Sequence, residues 1–226
     1  GSDRIKPLVV VGGRTLLEHN VAALLHAGFL DVHVAVSAAA DDVISCVEGA
    51  CADSAAAAGG TVRNVVEIEP LGSLGAAALL AEDTDEVLVV NADNLTSLDL
   101  RAVVEAPRSS GAAMTLAVHD EPFDMPFGEI TMDGTRIVAY REKPTYTIRI
   151  CTAVTVLGRD ALDLFEPGED VGLPAFANRV LSAGLHVHGH VHDAAWVDVN
   201  DLQAAARAEA LLAEALGGFL RDGTAP

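Results

Sequence analysis

Two aspartates stand where an α/β chain can hold a divalent cation. Asp93 follows the apolar run 87–90, inside Asn91-Ala92-Asp93-Asn94. Such a run reads as a strand buried on both faces of a parallel sheet, and open α/β sheets bind ligands outside the carboxyl ends of their strands. A carboxylate there is a natural magnesium ligand. Asn91, Asp93 and Asn94 also favour turns, so a turn or capping role stands beside it. Asp198 lies in the apolar Trp196-Val197-Asp198-Val199. An isolated acid in a strand costs free energy unless it is paired, metal-bound or turned to solvent on an edge. One ion shared by Asp93 and Asp198 requires two remote segments to converge.

Cations are scarce. The 226 residues hold 14 Lys and Arg against 33 Asp and Glu, a formal charge of -19. Only two of the cations are lysines, Lys6 and Lys143, and each precedes a proline. That economy suggests both charges are needed, and Lys143 in Glu142-Lys143-Pro144 suits a phosphate as a point charge; a solvated lysine at a strand end is the plainer reading. Gly72 and Gly75 let backbone approach a flat base or a phosphate, although a glycine loop before a helix is also ordinary α/β punctuation. His186, His188, His190 and His192 alternate along one strand face. Neighbours there lie about 7 Å apart, within chelating reach, but a solvated face accounts for them adequately.

Other chemistries lack their signatures. No G-x-S-x-G elbow, Walker A loop or G-x-G-x-x-G occurs. The negative charge argues against non-specific binding to nucleic acid or to anionic lipid. No apolar run approaches the ~20 residues of a membrane-spanning helix. Cys46, Cys51 and Cys151 form no dense framework, which suggests a reducing, cytoplasmic setting, and all three read as small buried hydrophobes. Homo-oligomerisation stays open at this point.

The elements that must position these residues alternate strand and helix through the first half. A short apolar run at 9–11 turns at Gly12-Gly13, and Thr15 with Glu18 forms a capping box. Leu17, Val21, Leu24, Leu25 and Gly28 share a helical face. Strands are expected at 32–36, 62–68, 86–90 and 114–118, helices at 41–52 and 98–105, and a loop over the alanine run 55–60. The second half opens on a hairpin turning at Asp133-Gly134. A strand at 149–157, helices near Ala161 and Leu173, a strand at 186–192 and a closing helix at 200–216 follow. Repeated β-α-β spacing favours a doubly wound, mostly parallel mixed sheet flanked by helices, in a single domain spanning 1–226.

In order along the chain, these segments resemble the sugar-phosphate nucleotidylyltransferases, the mannose- or heptose-1-phosphate guanylyltransferases above all. Lys6-Pro7-Leu8-Val9 and 12–19 are similar to their "KPL-V-GG-PLLEH" stretch, and 69–76 to their "E-PLGTAGA" base-binding loop. Residues 91–96 resemble "NGD-L", Phe127-Gly128 "FG", 142–145 "EKPT" and 196–199 "WxDI". The resemblance implies a nucleotide-diphospho-sugar transferase-like fold. It also implies attack of a sugar 1-phosphate on the α-phosphorus of a nucleoside triphosphate, with pyrophosphate leaving. Asp93 and Asp198 would hold Mg²⁺, Lys6 would sit on the phosphates, and Leu71, Gly72 and Gly75 against the base. Lys143 would bind the sugar phosphate, with Glu142 and Gly128 near the sugar.

The family opens with a strand and a "GGxGTRL" loop that grips the triphosphate. In its register neither has a counterpart here, and a gap in the core is expected where that central strand runs. A register that promotes 8–11 to the first sheet strand and Gly12-Gly13 to the phosphate loop agrees less well with everything downstream. Ala92 replaces the glycine of "NGD", Cys151-Thr152-Ala153 replaces "NAG", and Asn200 replaces the glycine after "WxDI". Against the enzyme stands a non-catalytic regulatory homologue that binds nucleotide sugar.

Overall fold

A computed structural model describes residues 5–200 and 202–221. Near its start β1 (Val10–Val11) and β2 (Arg14–Thr15) form a short antiparallel hairpin, turning at Gly12 and Gly13 with φ of 58° and 86°. Residues 8–11 therefore lie outside the main sheet. Helix α1 (Leu16–His26) begins on the expected capping box. The Thr15 hydroxyl accepts from the Glu18 amide at 3.1 Å, and the Glu18 carboxylate accepts from the Thr15 amide at 2.7 Å, so two donors orphaned at the helix start are satisfied. Leu17, Val21 and Leu25 bury against Val32 and Val36 of β3 (Asp31–Ser37).

Helix α2 (Asp41–Cys46) runs through a π-helical turn, Val47–Cys51, into α3 (Ala52–Ala57), and β4 (Thr61–Glu67) then pairs parallel with β3. The alanine run expected to be a loop is helical as far as Ala57. Alanine is the strongest helix former, and the chain turns only at Gly59, where φ is 76°. A 3-10 helix, Gly75–Leu80, leads to β5 (Glu86–Val90) and β6 (Asn94–Thr96). Next come α4 (Leu100–Ser110), β7 (Met114–Asp124), the hairpin β8 (Glu129–Asp133) and β9 (Arg136–Arg141), and the long β10 (Thr145–Gly158). Helices α5 (Arg159–Leu162) and α6 (Leu173–Ser182), strands β11 (Val187–His192) and β12 (Trp196–Asp198), and α7 (Leu202–Arg221) complete the order.

The main sheet is mixed, in the order β11-β7-β10-β5; β11 is parallel to β7, and β10 is antiparallel to both neighbours. Alternate residues of its strands face opposite layers, as the pleat requires. Met114 and Leu157 pack with α5 and α6 through Ala161 and Phe176, while Ala117, Val154 and Val156 pack with α4 through Val103. This is the expected α/β architecture, a mixed sheet with helices on both faces, although only one of the main sheet's three pairings, β11 with β7, is parallel. The parallel β3-β4 pair is a separate sheet, and Leu24 of α1 packs against the cores of both. Cys51 is fully buried, and that burial, with Cys46 second, pushes its thiol up to about 12. Cys151 is exposed, contrary to the expectation that all three thiols are buried, because it lies on the outer half of β10, before the bulge that leads inward.

Candidate functional site

The segments that carry the two aspartates meet through strand pairing. β12 runs antiparallel to β6 with Asp198 opposite Asn94, and the Val199 amide donates to the Asp93 carbonyl at 2.9 Å. The turn carrying Asp93 is held from behind. Asn20 of α1 donates to the carbonyls of Ala92 and Asn94 at 3.2 and 2.9 Å, and buried Asn94 donates to the Thr152 carbonyl at 3.2 Å. Lys6 opens a 3-10 turn, Lys6–Leu8, in which Pro7 presets φ. Its ammonium lies 3.3 Å from Asp93 Oδ2 and donates to Asn200 Oδ1 at 2.5 Å, while Asn200 Nδ2 donates to Asp198 Oδ2 at 2.6 Å. Lys6, Asp93, Asn200 and Asp198 thus form one connected polar group.

Asp198 Oδ1 is buried and lacks a hydrogen-bond partner among the described residues. A desolvated carboxylate oxygen of that kind is costly unless a cation or donor meets it. Two carboxylates form the whole set here, since no group of three or more His, Cys, Asp or Glu side chains among the described residues is placed to hold a metal ion.

Lys6, Asp93 and Gly72 line one cleft of about 1160 Å³. Gly72 belongs to the 71–75 loop, which is tied to the segment before α6. The Val171 amide donates to Leu71 O at 3.0 Å, and the Leu74 amide to Val171 O at 3.1 Å. A Cβ at Gly72 would stand 2.6 Å from the Val171 carbonyl oxygen, and one at Gly75 2.6 Å from that of Glu169, so the loop fits its backing only with glycine. Gly72 also has φ of 72°. Arg179 grips Glu169 with two bonds of 2.6 and 2.7 Å and holds its carboxyl below the usual range.

Gly128, Glu142 and Lys143 form a second group around the β8-β9 hairpin, and none of the three lines the cleft. A Cβ at Gly128 would collide with the Tyr140 hydroxyl, which donates to Glu142 Oε2 at 2.9 Å. Lys143 is exposed on the link from β9 to β10 with φ of 41°, and no hydrogen bond or ion pair among the described residues joins it to Asp93 or Asp198. The histidine strand pairs with β7, where the His119 and His192 rings lie 5.4 Å apart and His192 Nε2 meets Thr152 Oγ1 at 3.0 Å. Asn20 and Asn200 escape a reading of the sequence: neither has a chemistry of its own, and Asn200 registers there only as a departure from glycine.

A profile of the MobA-like NTP transferase domain matches residues 1–214. A mannose-1-phosphate guanyltransferase of Pichia angusta is 30% identical over 172 residues, covering 71% of this chain and 46% of that protein. The bifunctional protein GlmU of Xanthobacter autotrophicus is 32% identical over 174 residues, covering 71% and 37%. The match thus spans less than half the length of either relative. HddC from Yersinia pseudotuberculosis shares the fold, with a TM-score of 0.67 at 19% identity over 93% of this chain and 91% of that one.

Proposed function

The chain belongs to the MobA-like NTP transferase domain family, and from that premise we propose that it transfers a nucleotidyl group from a nucleoside triphosphate to a sugar 1-phosphate. A phosphate oxygen of the sugar 1-phosphate attacks the α-phosphorus. The bond from that phosphorus to the bridging β-oxygen breaks, and pyrophosphate departs with its electron pair. The observation that carries this reading is the buried Asp198 Oδ1, without a hydrogen-bond partner among the described residues, on a carboxylate linked through Asn200 and Lys6 to Asp93.

The donor set fits Mg²⁺, which is held by one or two carboxylates and completes its shell with water and substrate phosphates. When bound, the ion neutralises charge that builds on the phosphates. The rest falls to the chain. Lys6 lends a point charge to the triphosphate, and the backbone at Gly72 lies against the flat base. Lys143, Glu142 and Gly128 would meet the sugar phosphate from the hairpin. Catalysis in such a site is positioning and electrostatic complementarity, with no covalent intermediate.

Pyrophosphate release from the protein with Mg²⁺, each nucleoside triphosphate and a panel of sugar 1-phosphates tests the proposal. One pair should give release that Asp198→Asn abolishes. Tight calorimetric binding of nucleotide sugar without triphosphate binding, and no release from any pair, would replace transfer with a regulatory, ligand-sensing role.

A further inference from the structure

The β8-β9 hairpin turns its apolar side away from the protein. Its register sets Ile130 opposite Tyr140 and Met132 opposite Ile137 on one face, with Val138 at the bulge. Successive residues alternate between faces, so Glu129, Asp133, Arg136 and Arg141 share the other face with Thr131 and Ala139. The charged face is the one turned inward: the Arg141 guanidinium donates to the Tyr146 hydroxyl of β10 at 3.1 Å and lies 5.4 Å from its ring. The five apolar side chains are 48% to 61% exposed, and all six residues of β9 are exposed. Antiparallel strands ordinarily set the apolar face on the core and the polar face in water. This hairpin does the reverse, and a two-stranded hairpin is marginal in water without a cover.

Area and charge identify the cover. One tyrosine and four aliphatic side chains at that exposure leave on the order of 500 Å² of apolar surface open. A homodimer interface of standard size takes about 800 Å² from each partner, about 65% of it non-polar, or about 520 Å². The patch supplies that area. The chain carries a charge of -19, so two copies repel over most of their surfaces. On the hairpin the acids Glu129 and Asp133 balance the bases Arg136 and Arg141, and the outer face holds no charge. Two copies can meet there without that repulsion. Charge also selects the geometry. Pairing two β9 edges about a two-fold axis would set Arg136 of one copy opposite Arg141 of the other, and pairing two β8 edges would set Glu129 opposite Asp133. Like charges directly opposite are destabilising, so the faces stack and the edges stay apart.

We propose that the outer face of the β8-β9 hairpin is a docking surface for a second copy of this chain. The two hairpins stack face to face about a two-fold axis, about 10 Å apart, as an isologous contact requires. Ile130, Met132, Ile137 and Tyr140 of each copy form its dry centre, and the charged residues form its rim.

Sedimentation velocity tests this without substrate, so its outcome is independent of whether nucleotidyl transfer is found. The protein should pass from monomer to dimer between about 1 and about 100 µM. Association should strengthen at least about twofold from about 0.05 to about 0.3 M KCl, as salt screens the repulsion. Ile130→Lys with Ile137→Lys should weaken it at least about tenfold, although each lysine lowers the net negative charge. Thr131→Lys with Ala139→Lys, on the inner face, adds the same charge and should associate as the native protein does. If circular dichroism shows the first pair unfolded, Ile130→Thr with Ile137→Thr keeps strand propensity and should weaken association in the same direction. A monomer through the whole range would leave the patch to a different partner and overturn the proposal. So would association that the substituted outer face retains, association lost equally from the inner-face pair, or association weakened by salt.

Discussion

Asn200 joins Lys6 to Asp198 through the two ends of one amide, across 194 residues of sequence in the case of Lys6. Glycine, expected there from the resemblance, could hold neither. The bridge keeps the Lys6 ammonium beside Asp93 while leaving it half exposed, at 51%, so it remains accessible to a phosphate. Lys6→Met should lower kcat/KM for pyrophosphate release by about 10²–10³-fold, the scale of a lost charge-stabilising donor, with an unchanged far-ultraviolet spectrum. A loss under about tenfold would remove Lys6 from the phosphate site. Ala153 makes a separate prediction. It adopts φ of 57° at the bulge of β10, where the resembled family has glycine. The left-handed conformation costs a residue with a Cβ about 1–2 kcal/mol, while glycine costs about 0.5–1 kcal/mol through the freer unfolded chain. Ala153→Gly should therefore raise stability by about 0.5–1 kcal/mol in urea unfolding; a decrease would mean that the methyl group packs better than its backbone suffers.

Elements were legible in the sequence where the signal is local. The capping box needs only Thr15 and Glu18, and α1 starts there; Asp133-Gly134 turns the hairpin with Gly134 at φ of 56°. The alanine run reads as a loop because small residues mark both loops and helices, and only Gly59, near the end of the run, breaks the helix. The approach of Asp93 to Asp198 was legible solely through resemblance, since it depends on β6 pairing with β12 across about a hundred residues. The histidine strand shows the same limit. Alternation placed the rings on one face, but only the pairing of β11 with β7 sets His192 beside His119 and Thr152. Burial first, then the neighbouring histidines, lowers the pKa of His190 and His192 from 6.5; Asp99 opposes this at His190, and the Ala194 backbone and Asp193 at His192. Between the lowered values and 6.5 the unfolded chain binds protons that the folded one refuses, so stability falls as pH drops through that window. Urea midpoints at pH 7.5 and 5.5 should differ more for the native protein than for His192→Gln. Equal losses would clear His192. Glu18 and Glu169, lowered from 4.5, act only at more acid pH.

For the whole molecule, charge screening and metal binding shift a thermal transition in the same direction, and the two can be separated. A charge of -19 on 226 residues means diffuse self-repulsion, which salt screens over a Debye length of about 10 Å at 0.1 M. The same salt weakens surface ion pairs such as Arg108–Glu86 and Arg149–Asp120, but exposed pairs contribute only about 0–1 kcal/mol each. With 33 acids facing 14 bases, relief of repulsion prevails, so Tm should rise from low to moderate KCl. Mg²⁺ adds a specific increment if Asp93 and Asp198 bind it in the folded state alone. At about ten times its Kd the gain is about 1.4 kcal/mol, or about 3–6 °C for a chain of this size. At matched ionic strength, Mg²⁺ should raise Tm above KCl for the native protein. In Asp198→Asn the Mg²⁺ increment should vanish while the KCl increment stays. A mutant that keeps both would make the effect of Mg²⁺ a matter of charge screening, and the paired aspartates a structural feature of the β6-β12 junction.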